Sequence, residues 1–158
     1  LRVYYELYGI NYFVMRFTNV YGPYQHPDTG GLIPVVMSKI IKGEEVTIFG
    51  DGSQTRDFVY VGDIAKLTTK LVTDENIKNS IVNVGSGENT SILDAAKFCG
   101  EVLEIEPNFV FKKQEGGERK EFQASLKKCD DIFGFVPSTS LESGLKKTSE
   151  WIKTIIQS

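Results

Sequence analysis

What most constrains this chain is that its apolar residues change period repeatedly, from short runs to three-and-four spacing and back. Tyr12-Phe13-Val14-Met15-Arg16-Phe17 is a mostly apolar run that predicts a strand buried on both faces. Leu32 to Lys42 then places Leu32, Val35, Val36, Ile40 and Ile41 along a helix with Pro34 in its first turn. Glu45 to Phe49 and Asp57 to Val61 read as strands, and Asp63 as the cap of a helix striped by Ile64, Leu67, Leu71 and Val72. Ile81 to Val84 predicts a strand. Thr90 or Ser91 then caps a helix bearing Ile92, Leu93, Ala96, Cys99, Val102 and Leu103. Phe109 to Phe111 is a further strand, and Ser125 to Phe133 a short helix ended by Gly134. Thr139 and Glu142 form a capping box for a last helix facing inward through Leu145, Thr148, Trp151, Ile152 and Ile155. Strands alternating with helices imply an α/β fold.

With 158 residues the chain can bury about two-thirds of its unfolded surface, enough for one domain. Eighteen basic against twenty-one acidic side chains give a net charge of −3, which weighs against non-specific nucleic-acid binding. No apolar run approaches the roughly 18 residues of a membrane span. Cys99 and Cys129 are too few for a disulfide framework; a reduced, cytoplasmic setting is the simplest expectation. Leu1 to Tyr8 predicts the tail of a helix stopped by Gly9. A helix that begins uncapped, without an initiator Met, implies a natural chain that continues upstream.

Three segments carry candidate chemistry. Arg16-Phe17-Thr18-Asn19-Val20-Tyr21-Gly22-Pro23 ends an apolar strand in polar and turn residues, at the edge where open α/β sheets bind ligands. An ordinary strand-to-turn transition would use the same residue types. In the second, the loop Gly50-Asp51-Gly52-Ser53-Gln54-Thr55 delivers Arg56 to the start of a strand. Its guanidinium is a planar fork suited to phosphate oxygens, or equally a surface cation paired with Asp57 or Asp51. Phe49 beside the loop either stacks on a base or joins the core. The third, Lys112 to Lys120, holds four basic residues in a turn and by itself reads as a solvated loop. His26 has no second His or Cys nearby, so a loop hydrogen bond is expected of it rather than a metal. Neither a Gly-x-x-Gly-x-x-Gly cofactor loop nor a Gly-x-Ser-x-Gly elbow occurs in the sequence.

In order and spacing, these segments resemble the extended short-chain dehydrogenase/reductase family, specifically its NAD-dependent epimerase/dehydratase members of the UDP-glucose 4-epimerase type. The resemblance rests on Arg16 to Pro23 with Tyr24-Gln25-His26-Pro27, on Phe49-Gly50-Asp51-Gly52, and on Arg56-Asp57-Phe58-Val59-Tyr60-Val61 with Asp63. Asn83-Val84-Gly85-Ser86-Gly87 and Gly134-Phe135-Val136-Pro137 before Leu141 to Leu145 extend it over nearly the whole chain. It implies a C-terminal, substrate-binding part of a Rossmann-type fold. Residues 1–20 would be the end of the cofactor-binding core, and 21–158 mostly the substrate-binding domain. The glycine loop and a Tyr-x-x-x-Lys pair would lie upstream, leaving this chain alone inactive.

For individual residues the resemblance implies that Asn19 and Arg56 meet the diphosphate of a UDP-sugar or other nucleotide-sugar. Leu32 would begin the helix whose first turn supports it, while Thr47, Ile48 and Phe49 would line the base pocket. Phe17, Thr18 and Val20 would lie near the nicotinamide of NAD. Tyr24 stands where many members have Arg, and Glu115 likewise, so Arg119 or Lys120 is expected to supply the second phosphate contact. A Ser, Ser125, replaces an Asp of the family. The whole protein is expected to be a homodimeric isomerase acting by transient oxidation at sugar C4. The alternatives are a 4,6-dehydratase or reductase of the same family and a non-catalytic nucleotide-sugar-binding module.

Overall fold

A computed structural model describes residues 1–74, 79–113 and 124–156. Helix α1 (Arg2–Tyr8) stops at Gly9, whose φ of 67° is the left-handed cap that glycine adopts without a Cβ penalty. The strands are β1 (Phe13–Phe17), β2 (Asn19–Tyr21), β3 (Val46–Phe49), β4 (Thr55–Arg56), β5 (Phe58–Tyr60), β6 (Ser80–Val84), β7 (Thr90–Ser91) and β8 (Phe109–Lys112). The remaining helices are α2 (Leu32–Ile41), α3 (Val61–Thr73), α4 (Ile92–Leu103), α5 (Lys127–Phe133) and α6 (Leu141–Ile156), with a 3-10 turn at Pro27–Thr29. Pairs β1–β6, β2–β5 and β3–β8 run parallel, and β4–β7 antiparallel. Parallel pairing joined through helices is the α/β architecture that the alternating rhythm predicts.

Two cores hold these elements. In the larger, Ile33, Met37 and Ile40 of α2 pack with Ala96, Cys99 and Leu103 of α4 and Leu145 and Ile152 of α6, over Val46 and Ile48. In the smaller, Leu67 and Leu71 of α3 and Cys129 and Phe133 of α5 cover Val82, Val84 and Val59. Gly144 of α6 lies so close to the Tyr21 ring that an added Cβ would overlap the phenol oxygen, which itself donates to the Leu141 carbonyl at 3.2 Å.

Several local expectations are corrected. Strand β1 is half-buried to exposed rather than covered on both faces. Among the described residues it pairs only with β6, and only its Phe13 and Met15 pack on the smaller core. Asp57 to Val61 is not one strand: β4 and β5 divide around Asp57, and Val61 opens α3. Asp63 is not that helix's cap; it sits inside the first turn, where a carboxylate still favours the helix dipole. Val72 is 79% exposed, off the buried stripe. The buried side of α2 is led by Ile33, Met37 and Ile40, leaving Leu32 and Val35 half-buried. At α6 the capping hydroxyl belongs to Ser140, the residue just before the helix, which accepts from the Ser143 amide; the Thr139 amide, which a capping box would give to Glu142, goes to Asp63 instead.

Candidate functional site

A cleft opens at the carboxyl ends of parallel strands, where α/β sheets present loops and free backbone groups. Phe49 and Lys112, the last residues of β3 and β8, stand opposite each other in register and share a wall of a cavity of about 520 Å³. Leu32, Val35 and Lys39 of α2 and Thr47 of β3 complete much of that wall. This is why Leu32 and Val35 stay half-buried: each also forms an apolar wall of the cleft. Strand alternation turns Thr47 and Phe49 to the cavity side and Ile48 inward, so Ile48 packs in the core and its side chain is absent from the cleft. Phe49 remains 53% exposed, an aromatic face open to stacking.

A second cavity, of about 320 Å³, adjoins the first through the shared walls of Gly31, Leu32, Arg56 and Ile92. It holds Asn19, Gln25 and Arg56. The residue pair singled out in the sequence, Asn19 and Arg56, therefore lines one concavity. Arg56 is half-buried, and its Nη1 donates to the Thr55 carbonyl at 2.8 Å. Asn19 donates through Nδ2 to the Asp57 carbonyl at 3.3 Å. Helix α2 begins at this cavity behind Gly31, with no side chain capping its first turn. Helix amides without a capping oxygen and a guanidinium together make a region suited to an anion. A third cavity of about 330 Å³ continues from the second through Val20, Tyr21 and Gln25 towards Gly22 and Tyr24.

The loop that carries Arg56 is built tightly. Ser53 donates its amide to the Asp51 carboxylate at 2.9 Å, a local turn that asparagine and aspartate favour. Buried Gln54 donates to the Phe49 carbonyl at 3.1 Å and so closes the loop on itself. The amides of Ile92 and Leu93 bond to the carbonyls of Gln54 and Gly52, tying the loop to the start of α4. Gln54 and Asp57 were not identified from sequence as supports of this site. Gln54 signalled only polarity next to an apolar strand, and Asp57 read as an ion-pair companion of Arg56.

The remaining candidates are placed as follows. Phe17 is exposed at the end of β1, Thr18 donates its hydroxyl to the Asp57 carboxylate at 3.3 Å, and Val20 lines the second and third cavities. Arg119 and Lys120 lie outside the described residues. His26 accepts from the Asp28 amide at 3.4 Å, a loop contact. Among the described residues there is no group of three or more side chains able to hold a metal ion, and no helix is long and apolar enough to cross a membrane. Cys99 and Cys129 are buried free thiols.

The fold and cleft together define an α/β protein with a groove at the strand ends. A family model for the NAD-dependent epimerase/dehydratase family matches residues 1–85, and the chain belongs to that family. It is 36% identical over 154 residues to a protein of Methanocaldococcus jannaschii provisionally named UDP-glucose 4-epimerase, covering 97% of this chain and 49% of that protein. It is also similar to the crystal structure of UDP-glucose 4-epimerase with UDP-glucose from Thermotoga maritima. There the TM-score is 0.90 at 31% identity, covering 98% of this chain and 50% of the other. A UDP-glucuronic acid 4-epimerase of Bacillus cereus, in complex with UDP-glucuronic acid and NAD, gives a TM-score of 0.86 at 31% identity over 98% of this chain and 49% of the other. The chain thus spans about half the length of the relatives it matches.

Proposed function

We propose that this chain is the nucleotide-sugar-binding portion of an NAD-dependent nucleotide-sugar epimerase, with the interconversion of UDP-glucose and UDP-galactose as the activity of the whole protein. The observation that carries the reading is the meeting of Asn19, Arg56 and the uncapped start of α2 on one cavity, directly beside the aromatic wall of Phe49. A nucleoside diphosphate-sugar has the same linear order: a flat base for Phe49 and Thr47, two phosphoryl groups for Arg56, Asn19 and the helix amides, then a sugar directed to the third cavity. Arg56, on the wall between the first two cavities, is at the position where the charge would fall.

Residues 1–20 would complete the cofactor-binding core and 21–158 would form most of the substrate domain. The residues present fit a nicotinamide laid against the end of β1: Phe17 offers an exposed ring there, and Thr18 and Val20 offer strand-end backbone. When bound, NAD supplies acceptance and return of a hydride. The chain's own residues anchor the unreactive nucleotide, so that binding energy is used to orient the sugar at the reacting end. A homodimer for the whole protein and a reducing, cytoplasmic setting belong to the same reading; the two buried free thiols support the latter.

Titration calorimetry with UDP-glucose tests the proposal. Arg56→Ala should weaken binding by about 1.5–3 kcal/mol, the cost of a hydrogen bond to a charged group. An unchanged affinity would remove Arg56 from the site.

A further inference from the structure

Asp57 is 0% exposed, so no ligand touches it, yet its backbone carbonyl bonds to Asn19 on the anion cavity while its carboxylate is anchored outside that cavity. Its carboxylate accepts from the Ser86 amide at 2.7 Å, the Ser86 hydroxyl at 2.8 Å, the Gly87 amide at 3.2 Å and the Thr18 hydroxyl at 3.3 Å. Its backbone carbonyl accepts twice from Asn19, from the main-chain amide at 2.9 Å and from Nδ2 at 3.3 Å. Arg56 precedes it by one peptide bond. Gly85 makes the grip feasible, because a Cβ there would strike both the Asp57 carboxylate and the Thr18 methyl.

A buried carboxylate held by four donors has no alternative rotamer that keeps them satisfied, and an ionised oxygen left without donors is costly. The side chain is therefore a peg in the 85–87 loop, and a fixed side chain fixes its own carbonyl. That carbonyl uses one of the two amide hydrogens of Asn19 and leaves the other for a ligand. We infer that Asp57 is a positioning residue: it sets the orientation of the Asn19 amide, and through it the grip on a nucleotide's diphosphate. The inference rests on the proposed role of Asn19 at the diphosphate.

A double-mutant cycle on UDP affinity tests it, with folding followed by circular dichroism and thermal melting. Asp57→Asn keeps the size of the side chain but sets an amide against the loop's donors. It should weaken UDP binding about tenfold. In an Asn19→Ala background the same change should cost less than about twofold, because the residue it acts through is gone. Equal losses in both backgrounds, as general destabilisation would give, overturn the inference. Should Asp57→Asn fail to fold, Ser86→Ala removes one of the carboxylate's four donors, together with the acceptor of the exposed Glu88 amide; it should weaken UDP binding about threefold, again sub-additively with Asn19→Ala. Full affinity in that variant overturns the inference equally. If the unaltered chain binds no UDP, or Asn19→Ala binds it as well as the unaltered chain, the proposed function of Asn19 fails first and this inference with it.

Discussion

The carboxylate of Asp63, in the first turn of α3, accepts the backbone amide of Thr139 at 2.8 Å across 76 positions of sequence. It also takes the Ser138 amide at 3.0 Å and the Lys66 ammonium at 2.9 Å. Burial alone would raise its pKa, but the bonds from Lys66, Thr139 and Ser138 outweigh burial and hold it below the ordinary carboxylate value. A depressed folded pKa means stability present above the unfolded value, near 3.9, and lost as pH falls through the lower folded one. Urea melts should therefore show Asp63→Asn destabilised by about 1–3 kcal/mol at pH 7, with the difference from wild type shrinking as the pH falls below the unfolded value. A gap that is unchanged at the acid end would refute the linkage.

Phe49 and Arg56 should separate cleanly by ligand. Removing an aromatic platform costs about 1–3 kcal/mol per stacked base. Phe49→Ala is expected to weaken UDP by that amount while leaving inorganic pyrophosphate unaffected, whereas Arg56→Ala should weaken both. Competition calorimetry with the two ligands reads the difference, and equal effects of Phe49→Ala on both would take the base away from Phe49.

Gly144→Ala should destabilise the fold by about 1–3 kcal/mol despite alanine's better helix propensity. The new methyl has nowhere to go except into the Tyr21 ring, which is 2% exposed and bonded to Leu141. A melting temperature at or above that of wild type would show that Tyr21 can move aside.

Neither thiol should react in the folded chain. Burial pushes Cys99 up to about 12, and Cys129 is also raised, by burial and then by Asp130, so both are protonated at neutral pH. Since the thiolate is the nucleophile, a disulfide reagent at pH 7.5 should titrate both only after denaturation. Prompt labelling of either would contradict its burial.

Where the sequence was readable, the information was local. Changes of period located the six helices and five of the eight strands among the described residues, missing the two- and three-residue strands β2, β4 and β7, which are too short to show a period; Gly9 and Gly134 marked helix ends because a left-handed cap needs only the residue itself. Asn19 and Arg56 were identifiable through residue type and motif order. The errors came from distance. Burial of β1 depends on which neighbours cover it, the tilt of α2 on a cleft that accepts Leu32 and Val35, and the cap of α6 on Asp63 claiming the Thr139 amide. Asp57 looked like a companion for Arg56, and nothing nearby in the chain disclosed that Ser86 and Gly87 would surround it.

The seven-residue helix α1 buries none of its side chains: Leu7 and Tyr8 are each 67% bare, and Val3 60%. A helix that short has little tendency to persist in water by hydrogen bonding alone. In the chain by itself its amides should therefore swap hydrogen for deuterium almost as fast as those of a loose peptide. Helix α6 differs in kind, since Leu145 and Ile152 tie it into the larger core and its amides should exchange only when that core opens.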